Sequence, residues 1–130
     1  MKSKCLGGLI FLIVLFVSIP LFAHHSLTAE FDPTKNFTVK GVLTQVEWAN
    51  PHIHIYVDVT SKEGKVETYQ FEAGPPNALR RAGVRKADFK IGDMVTVTGM
   101  VAKDNTKHLG HLMMIKYSDG HVFVYRDGSE

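Results

Sequence analysis

The sequence predicts an all-β domain with one short helix, and three features carry that expectation. Residues 52–60, HIHIYVDVT, alternate polar and apolar side chains without a break, which is the period of a half-buried strand. Further runs rich in β-branched and aromatic residues are separated by turns containing Gly, Pro, Asp or Asn. One segment alone, residues 77–82 between Pro75-Pro76 and Gly83, combines helix-forming composition with a start and a stop signal.

Taken in order, residues 24–36 are mixed and polar, and Asp32-Pro33 marks a turn. Residues 37–49, FTVKGVLTQVEWA, read as one long strand. Phe37, Val39 and Leu43 share one parity, whereas Val46 and Trp48 share the other, so a bulge or bend is expected near Thr44. Asn50-Pro51 ends this run. In the next strand Ile53, Ile55, Val57 and Val59 face one side, and His52, His54, Tyr56 and Asp58 face the other. Ser61-Lys62-Glu63-Gly64 is a hairpin loop, and residues 65–72 are the return strand. After the helix, residues 94–102 and 110–117 are strands, and Asp119-Gly120 turns the chain into a last strand over 121–125. Long bent strand, strand, strand, helix, strand, strand is the order of a five-stranded OB-like Greek-key barrel, here with a C-terminal hairpin arm. A β-sandwich is the alternative, and it predicts no helix at 75–83.

Residues 1–23 stand apart. Lys2 and Lys4 precede an apolar run through Val17, and Pro20 and Ala23 close the segment. That layout is a secretory signal peptide with cleavage after Ala23. An uncleaved membrane anchor is the alternative, and the run is of marginal length to span a bilayer. Residues 24–130 then form a single domain in the periplasm or outside the cell, with no stable membrane span. Without Lys2 and Lys4 the 15 Lys and Arg fall to 13, which balances the 13 Asp and Glu. The lone cysteine, Cys5, lies in the leader. The remaining chain therefore excludes a disulfide framework, a cysteine-based zinc site and a thiol nucleophile. Zero net charge and export both argue against nucleic acid as a partner.

Histidine is the enriched chemical group, and all seven histidines lie beyond the leader. Cleavage after Ala23 would free the α-amine of His24, whose ordinary pKa of about 7.7–8.0 leaves a useful unprotonated fraction at neutral pH. Amine and imidazole of one residue can chelate a metal, and His52 or His54 could add a second imidazole. Copper(II) accepts such tetragonal nitrogen sets readily, which makes a copper ion the candidate cofactor and His24, His25, His52 and His54 its candidate ligands. The plainer reading is a solvated terminus and a turn histidine. His108 and His111 have helical zinc spacing, but Gly110 and the strand context spoil it.

Two other features suit a ligand- or protein-interaction module without metal, binding a small ligand or another periplasmic protein. Arg80, Arg81, Arg85, Lys86 and Lys90 form a cationic stretch able to hold an anion, or simply a solvated helix and loop. Trp48 and Tyr56 lie on strands whose surface, in this barrel class, stacks against sugars and bases; parity places Trp48 nearer the core. Enzyme templates fit poorly. Ser26 has no placed acid near His25, and nothing fixes a distance between Glu47 and Asp58.

Several motifs together resemble a family. They are His24-His25-Ser26, Glu30-Phe31-Asp32, Val46-Glu47-Trp48-Ala49-Asn50-Pro51-His52, Pro76-Asn77-Ala78-Leu79-Arg80-Arg81, and Ile91-Gly92-Asp93 before Val95-Thr96-Val97. The chain resembles the exported bacterial proteins grouped as domain of unknown function 6152. The resemblance implies a small periplasmic β-barrel and supplies no activity. Its two motif histidine groups fall on His24/His25 and His52, whereas His54 is less typical.

Overall fold

The computed structural model describes residues 27–125, so the leader, His24 and His25 lie outside the described residues. A one-turn helix α1 (Leu27–Glu30) leads into β1 (Phe31–Glu47), followed by β2 (His54–Thr60), β3 (Val66–Glu72), helix α2 (Pro76–Arg81), a 3-10 turn (Lys86–Asp88), β4 (Met94–Ala102), β5 (Leu109–Tyr117) and β6 (Val122–Val124). The strands lie in the order β3-β2-β1-β4-β5-β6, and a parallel β3–β5 pairing closes the first five into a barrel. This is the OB-like topology the sequence predicts, with β6 as the hairpin arm. The helix between β3 and β4 and the closure exclude the sandwich.

The long first strand serves both halves of the barrel. Its C-terminal part pairs antiparallel with β2, and Phe31 to Val42 pair with β4. The register shifts between Leu43 and Gln45, which places the expected bulge at Thr44. Gly41 sits where the strand passes from one partner to the other. A Cβ there would lie 2.2 Å from the Asp58 carbonyl oxygen, so only glycine lets β1 and β2 approach this closely.

Sequence and structure differ at the start of β1. The strand begins at Phe31, six residues before the expected position, and Asp32-Pro33 is contained in it. The turn chemistry is still present. Asp32 Oδ1 accepts bonds from Thr34 N (2.9 Å) and Thr34 Oγ1 (2.6 Å), and the register against β4 shifts between Asp32 and Asn36. The turn is absorbed as an irregularity because the residues on both sides of it, Phe31 and Phe37, still pair with β4.

Helix α2 ends as expected. Gly83 has φ 83°, and Val84 N and Gly83 N donate to the Leu79 and Arg80 carbonyls, which is a Schellman closure. The inward faces of the strands (Leu43, Ile55, Val57, Phe71, Val95, Val97, Leu112 and Ile115) form one core, which Leu79 and Phe89 cap from α2 and the 3-10 turn.

Tyr117 lies at the base of the hairpin arm. Burial, with the nearby carboxylates of Asp88, Asp93 and Asp119, pushes its phenol up to about 12 from 10.0. The unfolded chain therefore loses this proton first as pH rises. Stability should fall by about 2 kcal/mol between pH 10 and 12. Urea unfolding across that range measures the loss, and Tyr117→Phe should flatten this part of it.

Candidate functional site

His54 of β2, and His52 just before the strand begins, lie on the outer face of the barrel, because Ile53, Ile55 and Val57 take the inner one. The chain is pinned there from both sides. Ile53 N donates to the Gly74 carbonyl at 3.1 Å, and Ala73 N donates to the Ile53 carbonyl at 2.8 Å. The Asn50–Pro51 bond before this run is cis. In the β2–β3 register His54 faces Glu72 directly, so both residues project outward from the same place.

Glu72 is the centre of the site. Its Oε1 lies 2.5 Å from His52 Nδ1, and its Oε2 lies 3.8 Å from His54 Nε2. His54 Nδ1 is 3.7 Å from Glu47 Oε2. That carboxylate accepts bonds from Tyr56 Oη (3.1 Å) and Gln45 Nε2 (3.1 Å). Partial burial and then the bond to Glu47 raise the Tyr56 phenol above its ordinary pKa. His52, Glu72, His54, Glu47 and Tyr56 thus alternate basic or phenolic and acidic side chains along the barrel wall, with close pairs at His52–Glu72 and Tyr56–Glu47 and with His54 standing 3.7–3.8 Å from both carboxylates. Pairs this exposed add at most about 1 kcal/mol each to stability. Their chief effect is orientation. With Nδ1 held by Glu72, the other ring nitrogen of His52 is the one left to bind something else.

Next to His52 is a cleft of about 280 Å³ at the end of the barrel. Leu27, Phe31, Glu72, His111 and Tyr125 are among its lining residues. His111 is buried, and its ring lies 5.4 Å from Phe31 and 5.6 Å from Tyr125. It stands opposite Glu72 in the β3–β5 pairing.

The sequence candidates separate into three groups. His52, His54 and Tyr56 come together around Glu72 and Glu47. Trp48 is half-buried and packs against the core, 6.0 Å from Phe89, as its parity suggests. Arg80, Arg81 and Arg85 are exposed and none lines the cleft. His108 leaves the zinc-like pair with His111, because its ring lies against Tyr69 at 4.3 Å and its Nε2 is 3.6 Å from Glu67. Among the described residues no three His, Cys, Asp or Glu side chains are grouped so as to hold a metal ion.

Sequence reasoning missed Glu72 and Tyr125, and it weighed Glu47 only against Asp58 and His111 only against His108, not as parts of this region. Glu72 was within reach of it. A register that puts Tyr69 and Phe71 on the inward side with Ile55 and Val57 across the Ser61–Gly64 hairpin sets Glu72 opposite His54. His111 depends on barrel closure, which no local pattern specifies.

Among the described residues no helix is long and apolar enough to cross a membrane. No curated protein matches the sequence. A solved structure titled as a mitochondrial single-stranded DNA binding protein from S. cerevisiae is similar, with a TM-score of 0.46 and 8% identity over 65% of this chain and 94% of that one. The model of a family described as "Family of unknown function (DUF6152)" matches residues 12–112. That match takes in β1 to β4, His52, Glu72 and His111, and the chain belongs to this family.

Proposed function

We propose that this is an exported, non-catalytic barrel that binds a copper ion at its processed amino terminus. In this reading the leader is removed after Ala23, His24 supplies its α-amine and imidazole, and His52 supplies a second imidazole. His25 or His54 assists. The observation that carries the reading is the 2.5 Å pairing of His52 Nδ1 with Glu72 beside a cleft lined by Leu27. Histidines that bind metals commonly give their other ring nitrogen to a carboxylate, which fixes the ring and raises its basicity. Chain length permits the rest. His24 is three residues before Leu27, a span of at most about 11 Å when fully extended.

Three nitrogens, one of them a primary amine, suit copper(II) better than they suit calcium or magnesium, which take oxygen ligands. Periplasmic location, copper and the terminal ligands stand or fall together, because an uncut leader would block the amine.

The test is a copper(II) titration of residues 24–130 with a native His24 terminus, beside the same protein with one added N-terminal glycine and a His52→Ala variant. Tight one-to-one binding to the native protein, weakened in both altered proteins, is the expected result. Binding that His52→Ala leaves unchanged would reduce the terminal histidines to a solvated chain start.

A further inference from the structure

Two hollows open beside Tyr117, where the 3-10 turn meets the β5–β6 hairpin. The first, about 240 Å³, is lined by Asp88, Lys90, Asp119 and His121 as well as Tyr117. The second, about 250 Å³, has Val84, Phe89 and Phe123 as apolar walls and shares Asp88, Tyr117 and His121 with the first. Phe89 and Phe123 meet edge to face at 6.4 Å. One half is thus acidic and the other aromatic.

Tyr117 joins the halves. Its side chain is 7% exposed, and its hydroxyl has no hydrogen-bond partner among the described residues. The carboxylates are only partly used. Asp88 Oδ2 accepts from Arg85 N at 2.7 Å, and Asp119 Oδ1 accepts from His121 N at 2.8 Å. The other oxygen of each carboxylate has no ion-pair partner among the described residues. Among the described residues Lys90 is the one fixed positive charge lining the hollows, against two carboxylates. Burial first, and then the carboxylates of Asp88, Asp93 and Asp119, raise the phenol above its ordinary range, so the hydroxyl is neutral at physiological pH as any tyrosine's is.

We propose that this two-part groove binds a small primary amine with an aromatic or aliphatic body. The ammonium donates to Asp88, Asp119 and Tyr117 Oη, and the body lies among Val84, Phe89 and Phe123. Ring faces near the charge add attraction for a cation. A carboxylate ligand would have Lys90 and His121 in its favour, but it would face both aspartates. The groove shares no lining residue with the cleft at His52, so this inference is independent of the copper reading.

The test is a titration of phenethylamine into the isotope-labelled protein, followed by amide shifts in NMR. Saturable shifts at Tyr117, His121 and Phe123 are expected. Tyr117→Phe and Asp119→Asn should each weaken binding by about tenfold, the scale of a hydrogen bond to a charged group. Asparagine keeps the acceptor for His121 N, so the second variant removes charge and leaves the turn in place. His52→Ala should bind the amine as the native protein does. Absence of saturable shifts, unchanged binding in both groove variants, or equal binding of phenylacetate would overturn the proposal. A lysine-centred tripeptide that bound more tightly than phenethylamine would assign the groove to a protein partner and overturn the small-amine reading.

Discussion

Truncation of Phe71 to alanine is expected to cost about 3–5 kcal/mol of folding stability. The side chain is fully buried and is the largest of the fully buried group. It sits on β3 between Ile55 of β2 and Gly110 of β5, at the seam that closes the barrel. Its ring stacks on Phe37 at 5.5 Å and covers Gly99, where an added Cβ would meet it at 2.7 Å. Neighbours on four other strands therefore border the space that truncation would leave. Domains of this size have total stabilities of about 5–15 kcal/mol, so the variant should unfold at a much lower urea concentration. A midpoint within experimental error of the native one would show that the seam does not depend on this ring.

Replacing Glu72 by glutamine should weaken copper binding by roughly 10–100-fold, the usual effect of losing a carboxylate behind a metal-binding histidine. Glutamine can still accept from His52 Nδ1, so the ring keeps its position. It loses the negative charge that makes the imidazole a better donor. Folding should change little, because the pair is partly exposed. A competition titration reads the affinity and thermal unfolding reads the fold. Unchanged affinity would remove Glu72, and the geometry at His52, from the copper reading.

Most of the barrel is legible in the sequence because its strands obey local rules. Alternation over HIHIYVDVT fixes the inward face of β2, the parity change fixes the bulge at Thr44, and Gly83 fixes the end of α2. The start of β1 is less legible, because Asp32-Pro33 is good turn chemistry locally and only pairing with β4 keeps it within a strand. The site is half legible for the same reason. His52, His54 and Tyr56 share a face by simple counting, whereas Glu72 needs the hairpin register and His111 needs the β3–β5 closure. The two hollows at Tyr117 draw on α2, the 3-10 turn and the hairpin arm, and no pattern within one segment marks them.

The double duty of β1 has a consequence for how the chain reaches this state. Its C-terminal third can pair at once with β2, which follows directly. Phe31 to Val42 must wait for β4, whose residues come some fifty or more positions later in the sequence. Until β4 arrives, that stretch is an open strand edge, the kind that recruits other chains. Such distant pairing also belongs to the slower class of folding topologies, in milliseconds to seconds. A chain cut short before Met94 would therefore keep this edge permanently exposed. It should collect as aggregates, not as a smaller soluble domain.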